Sequence, residues 1–176
     1  MRRVLVLLAF VVPVLVATGI AIAAGAFDGA KSSTARYHDI EQAQAAGYVA
    51  KVVDLAGIEC IESTDGSGAM GVHMLNPALL FDDGKIDAAN PELLVYEPRN
   101  DGTMKLVALE YLVFQSDWQG SGKPALFGKE FDEIKAGNRY GIPPSWALHA
   151  WIWKPNPKGM LYAWNPRVDC GPGAGS

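Results

Sequence analysis

The longest strand-like run in the chain is residues 104–115, in which two alternating sets of side chains are both largely apolar. Side chains alternate along a strand, so Leu106, Ala108, Glu110, Leu112 and Phe114 are expected on one face. Lys105, Val107, Leu109, Tyr111 and Val113 take the other. A strand apolar on both faces belongs in the middle of a sheet covered on both sides. Just before it lie a second apolar run, Leu93 to Glu97, then Pro98 and the turn sequence Asn100-Asp101-Gly102. That order predicts a β-hairpin.

Weaker patterns fill in the rest. Residues 37–46, with Ile40, Ala43, Ala45 and Ala46, predict a short helix that Gly47 ends. Tyr48 to Leu55, Met70 to Leu75, Trp146 to Trp153 and Met160 to Trp164 predict further strands. Asn76-Pro77, Asn156-Pro157-Lys158-Gly159 and Asn165-Pro166 punctuate them, and Leu79 to Phe81 is a short apolar patch before Asp82-Asp83-Gly84. Residues 57–71 and 116–145 read as loops. Several strands, one short N-terminal helix and long loops predict a single small α+β domain on a mainly antiparallel sheet.

Ahead of that domain the pattern changes. Arg2 and Arg3 precede Val4 to Ala26, which carries no charged residue and ends in Ala21-Ile22-Ala23 and Ala24-Gly25-Ala26. A basic start, an apolar run and small residues at its end are the parts of a secretory signal. The run also reaches the roughly 20 residues that a membrane-crossing helix needs. Residues 1–26 are therefore expected to be a signal peptide or, if uncleaved, an N-terminal membrane anchor. Either route places the domain outside the cytoplasm, in the periplasm or at the cell surface, because the arginines hold the start of the chain inside. Residues 27–36 then read as a linker, 37–170 as the domain and 171–176 as a flexible tail. Removing residues 1–26 moves the formal charge from -4 to -6. That acidity argues against a nucleic-acid surface, and membrane contact is expected only through residues 4–26, if they stay uncleaved.

The chain has two cysteines, Cys60 and Cys170. In an oxidising compartment an isolated pair reads first as a disulfide, with two buried thiols as the alternative. The bond would close a loop of about 110 residues, which in the chain-entropy model stabilises the fold by roughly 4–5 kcal/mol.

Three groups of segments carry a resemblance. Gly71-Val72-His73 with Asn76-Pro77, Leu94-Val95-Tyr96-Glu97-Pro98, and Leu148-His149-Ala150-Trp151 with Asn156-Pro157-Lys158-Gly159 resemble an uncharacterised family of bacterial exported proteins. The resemblance spans roughly residues 37–170 and implies no activity, so functional residues are sought in the chemistry of the side chains.

Of the three histidines, His38, His73 and His149, the last two stand inside apolar runs. Glu110 lies mid-strand on the face of Ala108 and Leu112. A buried carboxylate is costly unless paired or coordinated. Two imidazoles and a carboxylate on rigid strands suit a transition metal such as Zn, Fe, Mn or Cu. They also suit a base with its orienting partner, or plain structural pairing. Glu97 is the rival carboxylate. Trp146, Trp151, Trp153, Tyr162 and Trp164 crowd the C-terminal quarter, and an extended Trp146 to Trp153 puts His149, Trp151 and Trp153 on one face. Trp151 and Trp153 are thus candidates to stack on a small flat ligand, with core packing as the alternative. There is no Gly-x-Ser-x-Gly elbow and no phosphate-binding glycine loop. The expected function is binding of a small ligand, with a metal at His73, Glu110 and His149. A metal-dependent enzyme using those residues and a structural envelope protein without a site stand as alternatives.

Overall fold

In the computed structural model, residues 15–171 are described. The polypeptide opens with α1 (Leu15–Thr34), a 3-10 turn (Ala35–His38) and α2 (Ile40–Ala45). Strands β1 (Ala50–Lys51), β2 (Cys60–Glu62) and β3 (Ala69–Leu75) follow, then the single-turn α3 (Pro77–Leu80). The long hairpin β4 (Leu93–Pro98) and β5 (Met104–Phe114) comes next. Short β6 (Ala125–Leu126), β7 (Lys129–Glu130) and β8 (Asp132–Ile134) lead to β9 (Ser145–Ala150). Seven strands form one sheet in the order β1-β3-β4-β5-β9-β8, with β2 also on β3, and every pairing is antiparallel. The expected α+β domain on a mainly antiparallel sheet is present. β5 is central, as its two apolar faces require.

The hairpin turn forms at Asn100-Asp101-Gly102, where Gly102 takes φ 80° and its N–H donates to the Arg99 carbonyl at 3.0 Å. Within the hairpin, Val95 pairs with Ala108 but Tyr96 pairs with Leu106, so Val107 is an extra residue on β5. Such a bulge flips everything beyond it to the other face. Leu106 therefore packs with Leu109 and Tyr111 rather than with Glu110 and Leu112, correcting the simple alternation. The Val107 carbonyl accepts hydrogen bonds from the backbone of Trp153 and Lys154.

One face of the sheet carries Met74, Leu94, Tyr96, Leu106, Leu109, Tyr111 and Leu148. The end of α1, the 3-10 turn and α2 cover it with Ala30, Tyr37 and Ala43, all buried. Residues 27–36, expected as a linker, are thus helical and docked. Phe27 stacks on Phe127 with centroids 4.1 Å apart, and Ser33 Oγ donates to the Ala89 carbonyl at 2.8 Å. Residues 1–14 of the expected targeting segment lie outside the described residues, as does nearly all of the expected C-terminal tail, 172–176. Among the described residues no helix is long and apolar enough to cross a membrane.

Two expected strands are shortened or absent. Tyr48 to Leu55 contributes only Ala50–Lys51 to the sheet, with the Val52 N–H still reaching the His73 carbonyl at 2.9 Å. Met160 to Trp164 forms no strand; its backbone instead receives the side chains of Trp151 and Asn156. Cys60 and Cys170 are bonded, with Cα atoms 5.6 Å apart, and fasten the C-terminal segment to β2.

Candidate metal centre

On the second face of the sheet, β3, β5 and β9 each contribute one polar side chain to a single point. Glu110 and His149 are direct cross-strand partners. His73 lies two strands from Glu110, with Val95 and Leu93 of β4 between. Strands two apart are separated by about 9–10 Å, so His73 and Glu110 must lean toward each other across β4 to meet. Gly71 makes the approach of β3 to β4 tight. It has φ 109°, and a Cβ there would stand 2.5 Å from the Tyr96 carbonyl oxygen.

The expected convergence of His73, Glu110 and His149 is met. His73 Nε2 is 3.3 Å from His149 Nε2 and 3.3 Å from Glu110 Oε2, while His149 Nδ1 is 3.8 Å from Glu110 Oε1. One ligand atom from each residue lies within 4.8 Å of the others. All three residues are buried. Donors about 2.0–2.1 Å from a tetrahedral zinc stand roughly 3.3–3.4 Å apart, so the two measured spacings fit the edges of a coordination tetrahedron.

Burial governs the electrostatics. It pushes the Glu110 carboxyl up to about 8 and the His73 imidazole down to about 4. His149 is held well below its ordinary value by burial first, then by His73 and the charge of Lys129. Without a metal, burial favours the protonated carboxyl and the two neutral imidazoles. The Gly71 carbonyl raises His73 slightly but falls short of hydrogen-bond geometry, leaving His73 Nδ1 buried without a partner. An unsatisfied buried ring nitrogen costs about 1–3 kcal/mol.

The cluster borders a cavity of about 210 Å³. Its walls include Val52, Leu75, Leu80, Leu93, Phe114 and Ile142. Tyr140 also lines it, and its hydroxyl reaches only Met70 Sδ, at 3.8 Å. Burial and the nearby Glu110 push that phenol up to about 12. Tyr140 is set in place by Arg139, whose Nη2 and Nε donate to Asp54 Oδ2 at 2.6 and 3.2 Å and whose Nη1 donates to the Glu62 carbonyl at 2.7 Å.

Of the other expected site residues, Trp151 stacks on His149 with ring centroids 6.2 Å apart, but neither it nor Trp153 lines the cavity. Trp151 is buried against the disulfide cluster and donates its Nε1 to the Tyr162 carbonyl at 2.6 Å. Trp153 packs edge-on against His38, 4.4 Å between centroids, and flanks the helix-covered core. β9 ends at Ala150, so the two indoles do not share a face. They are packing residues, not a stacking platform. Glu97 is also withdrawn from the site, held by Lys154 Nζ and the Asp169 N–H.

Reading the sequence missed Tyr140 and Glu92. Tyr140 sits in the long connection with no local periodicity to mark it. Glu92 is buried, accepts a hydrogen bond from the Leu112 N–H at 3.0 Å, and is raised by burial to about 8. Its signal was a lone acid abutting the apolar run of β4. No family model matches the chain, and neither a curated protein nor a solved structure matches it.

Proposed function

We propose that this is an extracytoplasmic domain that holds one divalent transition metal through His73, Glu110 and His149 and offers its open side to a small ligand. The observation that carries the reading is the 3.3 Å spacing of His73 Nε2 from both His149 Nε2 and Glu110 Oε2, at a buried point facing an apolar cavity. Two histidines and one glutamate are the donor set of open zinc sites and of open non-haem iron sites. Closed structural zinc sites take four protein ligands, and among the described residues only three donors converge here. The disulfide and the mild acidity of the chain support placement in an oxidising compartment. The basic, apolar start of the sequence is read as its route there.

A bound ion would supply Lewis acidity at the cavity floor. The chain's own part is to fix the two imidazoles, give up the Glu110 proton when metal enters, and exclude water with aliphatic walls. The same open side favours, as a second reading, a metal-dependent enzyme acting on the ligand it binds. Elemental analysis of the purified protein, before and after chelation, tests the reading. One equivalent of zinc or iron per chain, lost in Glu110→Gln without loss of fold, is the expected result. A metal content unaffected by Glu110→Gln, or absent after exposure to both ions, would refute it.

A further inference from the structure

The walls of the cavity narrow the ligand. Apart from the three cluster residues, the polar groups lining it are Tyr140 and Asp132. Asp132 belongs to the rim: its side chain is 57% exposed and its charge is paired with Lys129 at 2.8 Å. Sugar hydroxyls or a peptide would find no partners along such walls, and each unpaired polar group buried there carries a penalty. The body of the ligand is therefore apolar. An apolar cavity of about 150 Å³ accepts benzene, so about 210 Å³ suits one aromatic ring or a short alkyl chain with a compact head.

The head group follows from charge. Two neutral imidazoles and one carboxylate around a divalent ion leave a single net positive charge in a buried place. Uncompensated buried charge is expensive, and a monoanion cancels it. Tyr140 adds a directed donor. Tyr140 lines the same cavity as Glu110, yet the one contact of its hydroxyl is a thioether sulfur at 3.8 Å, a weak acceptor. A carboxylate head with one oxygen toward the metal would leave its second oxygen to accept from Tyr140, a charge-assisted bond.

We propose that the pocket binds a small apolar monocarboxylate, an aromatic or short-chain acid, with Tyr140 as the residue that positions its carboxylate. The proposal rests on the metal reading above and extends it to the ligand. Cobalt(II) reports on both at once through its visible absorption. Full-length protein loaded with Co²⁺ is titrated with benzoate, hexanoate, acetate and 1-hexanol. Benzoate and hexanoate are expected to shift the cobalt bands saturably, one per chain. Hexanoate should bind at least roughly tenfold more tightly than acetate, since each buried methylene adds about 0.8 kcal/mol. 1-Hexanol should leave the bands unchanged, and Tyr140→Phe should weaken benzoate binding by roughly tenfold while leaving Co²⁺ affinity as it was. Cobalt bands that no acid perturbs, or acetate binding as tightly as hexanoate, would overturn the ligand class while leaving the metal site standing. Unaltered benzoate binding in Tyr140→Phe would remove Tyr140 from it. Failure of Co²⁺ to bind, or bands insensitive to Glu110→Gln, would remove the metal site and the ligand proposal together.

Discussion

The two faces of the central sheet treat buried polar groups in opposite ways. On the helix-covered face, three of the four buried tyrosines give their hydroxyl to a backbone carbonyl, Tyr48 to Pro91 at 2.7 Å, Tyr96 to Tyr37 at 2.7 Å and Tyr111 to Ala88 at 2.8 Å, while the Tyr37 hydroxyl accepts from Arg36 Nη2. Apolar side chains fill the space between them. On the opposite face, His73, Glu110 and His149 meet chiefly one another, His73 Nδ1 has no partner, and a cavity stands beside them. Backbone carbonyls are the cheap way to satisfy a buried donor, and the first face uses them for these three hydroxyls, leaving Trp153 Nε1 as its unpartnered donor. The second face instead concentrates titratable side chains at one point, where mutual contact is a poor substitute. Under the proposed metal site, that contrast separates polar groups that serve the fold from polar groups held for a ligand.

Adjacent residues on β9 give the largest test, because they lie on opposite faces. Leu148 is fully buried on the packed face, so Leu148→Ala should cost roughly 2–5 kcal/mol in chemical denaturation. Ala147 lines the cavity, and Ala147→Leu should change stability by less than about 1 kcal/mol because it has room to fill. Equal losses for the two would mean that the faces are packed alike.

pH gives the next effect. Glu92 and Glu110, both raised from an ordinary 4.5 to about 8, favour their protonated forms in the folded state. Their contribution is complete below the ordinary value and lost as pH rises to about 8. The histidines work the other way: His73, lowered from 6.5 to about 4, contributes fully above 6.5 and loses that contribution as pH falls to about 4. Above about pH 7, where the unfolded histidines are mostly neutral, the carboxyls dominate, so metal-free stability should fall, by roughly 1 kcal/mol per pH unit for each carboxyl. Glu92 is felt by Tyr48 and Tyr111 of the packed face, whereas Glu110 belongs to the metal face. Saturating zinc should abolish the Glu110 part of that slope and leave the Glu92 part. Denaturation curves at pH 6.5, 7.2 and 8.0, with zinc and with chelator, measure it; a slope untouched by zinc would break the assignment.

The smallest effect is a difference in sign. Tyr111→Phe deletes a satisfied hydroxyl and should cost about 1 kcal/mol. Glu110→Met replaces a buried carboxyl by an apolar chain of similar length and should leave the metal-free domain as stable or about 1 kcal/mol more stable. Thermal melts in chelator compare them. A substantial loss from Glu110→Met would make Glu110 a structural residue.

Much of this contrast could be read in the chain, and the limits are physical. The β4–β5 hairpin was legible because alternation and Asn100-Asp101-Gly102 are local signals. His73, Glu110 and His149 stood out because each is polar within an apolar run, an anomaly visible without tertiary structure. The Cys60–Cys170 bond followed from there being only one pair to make. Residues 27–36 read as linker because small residues such as Ala30 and Ser33, which dock the helix, are as common in loops as in close helix packing. The side of Leu106 was misread because a bulge is set by pairing with β4, which β5 alone does not encode. Trp151 and Trp153 were misassigned for a related reason, since their shared face required β9 to continue past Ala150, where the chain turns toward the Val107 carbonyl. Tyr140 and its Arg139–Asp54 anchor join residues 85 positions apart, which no local pattern reports.

The most direct test of the metal centre is a crystal structure of the zinc-soaked protein with anomalous data collected at the zinc edge. The account predicts one strong peak at the floor of the cavity, about 2.0–2.1 Å from His73 Nε2, from a ring nitrogen of His149 and from a Glu110 oxygen. A crystal holding zinc elsewhere, with His73 and His149 still in direct contact at 3.3 Å and no peak between them, would contradict it.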